Sequence, residues 1–224
     1  VVCKVLDHQG DGSMEHMLQG LLFVERNYRR YDIRVVNISV GIGQLRDQEK
    51  VSALAEAVQR LWKLGLVVVC AAGNKGPGEN TLSAIGTGER VIMVGCHDGS
   101  YRRGDPGSCS LYSGRGQEGS RIRKPDLVAP GTDIMSCNAY WQKGRRPEYY
   151  TVKSGTSMAT PIVTGCAALL LQKEPYLSND RVRERLIYSA RDLGAPWNQQ
   201  GESGIIVSSC RKISKFKNSV NICR

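Results

Sequence analysis

The sequence of 224 residues lacks several features that would assign it to other classes of protein. No apolar run approaches the roughly 18 to 20 residues of a membrane-spanning helix, so we expect no transmembrane segment. No internal repeat and no low-complexity block is present. The eight cysteines show no CxxC spacing and no histidine cluster, which argues against a zinc site. The sequence therefore predicts a protein without a bound transition metal and without a membrane partner.

The cysteines lie far apart along the chain, and we expect most of them to be reduced. Cys70 and Cys166 stand in runs of apolar or small residues, where a free thiol behaves as a small hydrophobic group. Reduced structural cysteines are therefore favoured over a disulfide framework. The even count still leaves extracellular disulfide pairing open.

Acidic residues are absent from the end of the chain, and this absence explains half of the net charge of +10. Residues 208–224 carry five positive charges and no acid. No DNA- or RNA-binding motif accompanies them. A solvated basic tail is favoured over an arm that binds nucleic acid, so a nucleic-acid partner is not expected.

The residues that are present alternate between apolar strand-like runs and amphipathic stretches, which is typical of an α/β fold. The length fits a single domain. Residues 1–6 resemble a strand already under way, so we expect the numbering to begin inside a fold. The predicted strands are 1–6, 33–40, 66–72 and 91–96, with an extended segment at 124–131 and a hairpin at 139–152. The predicted helices are 14–28, 50–64, 162–172 and 178–190, with Gly65 as a stop and Ser178 as an N-cap.

The most informative segment is Gly155-Thr156-Ser157-Met158-Ala159-Thr160-Pro161. A serine at the start of a buried helix directs its hydroxyl at a cleft, and the helix N–H groups face developing negative charge. Gly155 and the small Ala159 are expected to let a substrate backbone approach. The alternative is that Ser157 is an ordinary N-cap, a common position for serine.

This heptapeptide resembles the nucleophile segment of the subtilisin-like serine peptidases, and four other segments resemble that family in the same order. They are residues 5–7, 36–41, 68–74 and 124–131, and the resemblance extends from residue 1 to about residue 200. It implies a doubly wound, largely parallel α/β sheet with helices on both faces and with the N-terminal part missing.

The resemblance also implies roles for individual residues. Ser157 would be the nucleophile, and Asn74 would donate to the oxyanion; a plain turn-forming role is the alternative for Asn74. An extended peptide or protein substrate would bind along Ser39, Val40, Gly41, Ala71, Ala72 and Gly73. The chemistry would require no cofactor. Structural calcium is possible by resemblance, but no EF-hand-like spacing identifies a site.

The catalytic Asp and His of the family are not found in the expected contexts. The family order is Asp, His, Ser, and both earlier members precede the segment that residues 1–6 resemble. Asp7, His8, His16 and His97 lack the family motifs around them.

The sequence thus predicts a serine endopeptidase whose Asp and His lie in a missing N-terminal segment of the same protein. The rival interpretation is a non-catalytic pseudo-peptidase or a regulatory peptide-binding fragment. The resemblance makes secretion or a cell-envelope location possible, although these residues contain no signal peptide.

The charge pattern divides the chain into a partial peptidase domain, residues 1–207, and a basic tail, residues 208–224. The tail has few large apolar side chains, so we predict that it is mobile and dispensable. Limited trypsin treatment should remove it and leave the remainder folded. Protection of Lys215 and Lys217 would contradict this prediction.

Overall fold

The computed structural model describes residues 1–42, 48–98, 108–139 and 149–204. The helices are α1 (Met14–Asn27), α2 (Gln48–Lys63), α3 (Thr156–Lys173), α4 (Asn179–Ser189) and α5 (Trp197–Gln200). The strands are β1 (Val35–Ile38), β2 (Val67–Ala71), β3 (Ile92–His97), β4 (Leu127–Pro130), β5 (Ile134–Cys137), β6 (Tyr150–Lys153) and β7 (Ser203–Gly204).

Five strands form one parallel sheet in the order β1-β2-β3-β4-β7. Every residue of β2 and β3 is buried. Successive side chains of a strand point to opposite faces, so full burial means that both faces of the sheet are covered. The expected α/β class, with a doubly wound parallel sheet, is confirmed.

The helices pack against this sheet and against one another. Helix α3 packs along β1, β2, β3 and β4, α1 packs against α2, and α4 contacts both α3 and β2. The Asn179 amide donates to the carbonyl oxygens of Trp62 at 2.7 Å and Leu66 at 3.2 Å. These bonds hold the start of α4 against the end of α2.

The helix boundaries follow local chemistry. The Ser13 hydroxyl accepts the His16 N–H at 3.1 Å and caps α1, and the Ser178 hydroxyl caps α4 by accepting the Arg181 N–H at 3.3 Å. Gly65, with φ of +88°, follows the end of α2 in the left-handed conformation that glycine favours. The expected Gly65 stop and Ser178 cap are therefore confirmed.

Three expected elements differ from the observed ones. Residues 1–6 are not a strand, because no neighbouring strand among the described residues hydrogen-bonds with them. Helix α3 begins at Thr156, six residues before the predicted start of 162, because the apolar run used for the prediction begins only there. The hairpin is formed by β5 and β6, so its first strand precedes residue 139.

The chain end is only partly described. The predicted tail, residues 208–224, lies outside the described residues. Before it, Leu127 and Val128 of β4 pair with Ser203 and Gly204 of β7. The sheet thus gains a fifth strand just before the predicted tail.

The expectation of reduced cysteines is wrong for three positions. Cys96 and Cys109 form a disulfide, with Cα atoms 5.8 Å apart, and Cys166 is also disulfide-bonded. A short 3₁₀ turn, Ser108–Leu111, brings Cys109 back against the end of β3, a contact that sequence spacing does not reveal. Cys70 is a free buried thiol as expected, and burial raises its pKa to about 12.

No helix within the described residues combines the length and the apolar character needed to cross a bilayer. No group of three or more His, Cys, Asp or Glu side chains is arranged there to hold a metal ion.

A buried ionic network joins β4 to α4. The Asp126 carboxylate is fully buried. Its Oδ2 accepts hydrogen bonds from the Lys124 ammonium and from the Met93 N–H, each at 2.6 Å. Its other oxygen accepts the Arg183 guanidinium, with Nε at 3.1 Å. Burial lowers the pKa of Lys124, and the Asp126 charge opposes that shift. The network therefore depends on Asp126 as the shared acceptor of two cations.

We predict that Asp126→Asn destabilises the protein by about 3 to 5 kcal/mol, because it leaves Lys124 and Arg183 without their buried counter-charge. The control is Glu184→Gln, which breaks an exposed ion pair with Arg181 and should cost at most about 1 kcal/mol. Denaturant unfolding measures both values. Equal losses in the two variants would contradict the importance of burial.

Candidate active site

Segments distant in the sequence meet at one edge of the parallel sheet. The carboxyl ends of β1 and β2 lead to Gly41 and Asn74, and α3 starts at the same edge. A carbon placed at the Cβ position of Gly41 would lie 3.6 Å from Gly73 Cα, and one on Gly155 would lie 3.1 Å from Asn74 Nδ2. The parallel topology therefore gathers residues 41, 73–74 and 155–157.

Thr156 fixes the orientation of the Asn74 side chain. Asn74 Oδ1 accepts both the Thr156 N–H and the Thr156 hydroxyl, each at 3.0 Å. An N–H can only donate, so the oxygen of the amide must face Thr156. The Thr156 hydroxyl also accepts the Gly73 N–H at 3.1 Å. Consequently the Nδ2 amide group of Asn74 is directed away from Thr156 and remains available as a donor.

Gly155 makes room for that amide. Its φ of +150° is a conformation that other residues rarely adopt, and a Cβ there would lie 3.1 Å from Asn74 Nδ2. Gly155 and Ala159 are both buried. In the structure Gly155 accommodates the Asn74 amide, and a Cβ on Gly131 would lie 3.1 Å from Ala159 Cβ. That the two residues let a substrate backbone approach stays a prediction.

Ser157 is the second residue of α3, and Gly155 is the N-cap. The alternative that Ser157 serves as an N-cap is therefore wrong. Its half-buried hydroxyl makes no hydrogen bond with the described part of the chain. Its backbone N–H, being in the first turn, has no intrahelical acceptor. Both polar groups of Ser157 are thus available to a bound molecule.

Asn74 does not have the left-handed backbone of a turn-forming asparagine. Among the described non-glycine residues, positive φ values occur at Asp32, Asn80 and Asp133. The turn before Asn74 is made by Gly73, with φ of +93°. A simple turn-forming role for Asn74 therefore does not explain its position.

A cavity of about 600 Å³ opens beside these groups. Among the six predicted substrate-binding residues, Gly41 and Gly73 line it, together with Asn74 and Ser157. The other four do not line it: Ser39 and Val40 are half-buried, and Ala71 and Ala72 are buried. The structure therefore brings part of the predicted set directly to the cavity.

Sequence reasoning missed two residues that shape this cavity. Thr156 belongs to the heptapeptide recognised in the sequence, but its contact with Asn74 could not be predicted, because only the folded chain brings the two segments together. Ser83 is buried, and its hydroxyl accepts a hydrogen bond from the Ile42 N–H at 3.0 Å. This bond joins two separate segments that line the cavity. No motif in the sequence identifies Ser83. Lys75 and Glu79 add opposite charges to the cavity lining.

The acids and histidines considered from the sequence do not complete this site. Asp7 is exposed and accepts the N–H groups of Gln9 and Asp11, and these bonds, led by that of Asp11, lower its pKa. It is therefore a turn residue. His8 and His16 are exposed, and His97 is buried in β3. No hydrogen bond joins any of the three to Ser157 within the described residues.

A serine in the first turn of a helix, next to an outward-facing amide donor, is the arrangement by which serine hydrolases stabilise an oxyanion. The comparison with known sequences is more specific. The model of the subtilase family matches residues 1–205, so the chain belongs to the subtilase family of serine peptidases.

Individual relatives agree with this assignment. Serine protease AprX of Bacillus subtilis is 38% identical over 196 residues, which cover 82% of this chain and 44% of that protein. Subtilisin DY of Bacillus licheniformis is 33% identical, with 85% of this chain and 60% of that protein covered. Subtilisin Savinase of Lederbergia lenta is 33% identical, with coverages of 86% and 60%. The chain thus spans less than two thirds of the length of these relatives.

We predict that Thr156→Val destabilises the protein by about 1 to 3 kcal/mol, because it leaves the Gly73 N–H without its acceptor and removes one donor from Asn74. Thr156→Ser is the control: it keeps the hydroxyl and loses one buried methyl, at about 0.8 kcal/mol. Denaturant unfolding of both variants provides the measurement. If serine is as destabilising as valine, the hydroxyl contacts contribute nothing.

Proposed function

We propose that the protein is a serine endopeptidase that hydrolyses peptide bonds through an acyl-enzyme on Ser157. The observation that carries this proposal is the fixed amide of Asn74. Because Thr156 occupies its oxygen, the nitrogen remains as a donor beside the Ser157 hydroxyl. Membership of the subtilase family supports the same reaction class.

In the proposed reaction, Ser157 Oγ attacks the carbonyl carbon of the scissile bond, and its proton passes to a general base. The carbonyl oxygen becomes negatively charged in the tetrahedral intermediate. Asn74 Nδ2 and the Ser157 backbone N–H donate to it, and the first turn of α3 adds its positive dipole end. Collapse of the intermediate expels the amine, and water then hydrolyses the acyl-enzyme.

The general base and its orienting acid would come from outside these 224 residues. A serine hydroxyl is a weak nucleophile until a base accepts its proton. His8, His16 and His97 are not hydrogen-bonded to Ser157. We therefore assign the catalytic His and Asp to a preceding segment of the same protein, in accordance with the family order.

The substrate would bind as an extended strand along Ser39, Val40 and Gly41, opposite the segment Ala71, Ala72 and Gly73. Main-chain hydrogen bonds would supply affinity, as they do when a peptide extends a sheet edge. The side chain before the scissile bond would enter the cavity between Gly41 and Gly73. Its walls carry both Lys75 and Glu79, so polar side chains of either charge have a partner at the rim.

No cofactor takes part in this mechanism, and the partners are peptides or proteins. The Cys96–Cys109 disulfide favours an oxidising compartment, which agrees with secretion or a cell-envelope location. Structural calcium would serve stability and not the chemical step.

A second candidate function is peptide binding without cleavage, as in a pseudo-peptidase or a regulatory fragment. The observation that favours it is the Ser157 hydroxyl, which has no base among the described residues. Both functions use the same proposed substrate-binding segments, residues 39–41 and 71–73, and they differ in the chemistry at Ser157. Reactivity at this residue therefore distinguishes them.

We predict that a fluorophosphonate does not label Ser157 rapidly in this chain alone and does so when the preceding segment is supplied. For scale, loss of the triad in subtilisin lowers kcat by about 2 × 10⁶. Ser157→Ala should abolish both labelling and peptide hydrolysis. Asn74→Ala should retain labelling at a reduced rate and lower kcat by about 10² to 10³, a magnitude taken from subtilisin itself.

Two results would contradict this assignment. Rapid, saturable labelling of Ser157 in the chain alone would mean that a base is present within residues 1–224. Peptide hydrolysis by the Ser157→Ala variant would place the nucleophile elsewhere. If the longer protein binds peptide and is not labelled, the pseudo-peptidase function replaces the enzymatic one.

A further inference from the structure

A buried disulfide and two half-buried hydroxyl residues form a cluster close to the candidate active site. Cys96, near the end of β3, and Cys109, in the following 3₁₀ turn, are 2% and 0% exposed. The Tyr112 hydroxyl lies 3.1 Å from Cys96 Sγ and 3.3 Å from Cys109 Sγ. Thr132 Oγ1 lies 2.8 Å from Cys109 Sγ and 3.2 Å from the Tyr112 hydroxyl. We call these four residues the sulfur–hydroxyl cluster.

The bonding within the cluster has one direction. A disulfide sulfur carries no hydrogen, so the hydroxyls of Tyr112 and Thr132 must donate to it. A tyrosine hydroxyl is protonated near neutral pH and can donate, and burial raises the pKa of Tyr112 further. The cluster thus joins β3, the 3₁₀ turn and the residue after Gly131 by one covalent bond and two hydroxyls.

From Tyr112 the cluster reaches the loop that presents Asn74. The Tyr112 carbonyl accepts the Gly76 N–H at 2.9 Å, and the Gly114 N–H donates to the Gly73 carbonyl at 2.8 Å. Gly76 is packed so tightly here that an added Cβ would lie 2.3 Å from the Ser113 carbonyl oxygen. The bond from Gly114 therefore holds Gly73, directly before Asn74. The bond to the Tyr112 carbonyl holds Gly76, two residues after Asn74.

From Cys96 the same cluster reaches the start of α3. A Cβ on Gly131 would lie 3.0 Å from Cys96 Cβ, and the Gly131 carbonyl accepts the Gly155 N–H at 2.8 Å. Gly155 in turn packs beneath the Asn74 amide. The two segments that carry Asn74 and Ser157 are thus both supported by residues of, or adjoining, the cluster.

We infer that the Cys96–Cys109 disulfide, together with Tyr112, is a positioning element for the oxyanion pocket. It touches no substrate; it holds the Asn74 loop and the start of α3 at the separation that directs the Asn74 amide toward the reacting carbonyl. The inference rests on the proposed function and adds to it a group outside the reacting atoms. A misplacement of about 1 Å by a distant change can cost about 10²-fold in rate.

A disulfide that served only stability would have a different signature. Its loss would lower the temperature of unfolding and the fraction of active enzyme, while each folded molecule would keep its kcat. A positioning role lowers kcat in the folded enzyme and leaves KM nearly unchanged, because Asn74 acts on the transition state more than on the bound substrate. Local hydrogen exchange also separates the two roles.

The experiment uses the complete enzyme, with active sites counted by titration. The variants are Cys96→Ala/Cys109→Ala, which removes the bond, and Tyr112→Phe, which removes one hydroxyl and keeps the disulfide. Cys137→Ala, at an exposed free cysteine in β5, is the control. We expect the double variant to lose about 10- to 100-fold in kcat, with KM changed less than about twofold. Tyr112→Phe should lose less, and the control should match the parent.

Hydrogen exchange gives a readout that does not depend on activity. The N–H groups of Gly76 and Gly114 should exchange at least about tenfold faster in the double variant, while those of β2 keep their rates. If the double variant fails to fold, Tyr112→Phe decides with the same two measurements: a loss of kcat and faster exchange at Gly76 uphold the inference, and parent values of both overturn it.

Other results of the kinetic and hydrogen-exchange measurements also decide whether the disulfide has a positioning role. Unchanged kcat per titrated site, or unchanged exchange at Gly76 and Gly114, overturns the positioning role even where the temperature of unfolding falls. Failure of the proposed function is seen separately, as hydrolysis that survives Ser157→Ala. A uniform rise of exchange throughout the sheet indicates global destabilisation and also overturns the inference.

Discussion

The hydrogen bonds between Thr156 and Asn74 are the interaction on which the candidate site depends. One fully buried hydroxyl accepts from the Gly73 backbone and donates to the Asn74 side chain, and the backbone N–H of the same residue donates beside it. These bonds join two segments that are more than eighty residues apart in the sequence. Helix α3, which begins at Thr156, packs along four strands of the sheet, so these hydrogen bonds also connect Asn74 to the sheet. The loop that carries Asn74 is thereby connected through α3 to the central sheet.

A second constraint comes from charge in the interior. Asp126, directly before β4, accepts two cationic side chains and a backbone N–H, so the start of that strand, β3 and α4 share one ionic group. A buried charge with several donors fixes geometry more strictly than apolar packing, since few other arrangements satisfy it. The carboxyl end of β4 leads to Gly131, whose carbonyl accepts the Gly155 N–H. The ionic network and the site thus lie at opposite ends of the same strand.

The α/β class, the four long helices and the central strands could be predicted because each depends on local periodicity or on a cap such as Ser178. The segment 155–161 was recognisable because its seven residues resemble a specific family motif. The contact between Thr156 and Asn74, the role of Ser83 and the Cys96–Cys109 bond were not accessible, since each joins residues that approach one another only through the parallel topology. Residues 1–6 have the composition of a strand, but a strand also needs a neighbour, which no local pattern encodes.

The lack of a side chain at Gly155 has an evolutionary consequence. A Cβ at this position would crowd the Asn74 amide, so the two positions are expected to change together in homologous chains. A lineage that abandons catalysis and replaces Asn74 with a smaller residue removes part of the selection for glycine at 155. The converse is also informative: a chain that retains glycine there, threonine at 156 and asparagine at 74 is still under selection for the orientation of one amide. An alignment of homologous sequences at positions 74 and 155 therefore indicates whether a divergent member has remained an enzyme.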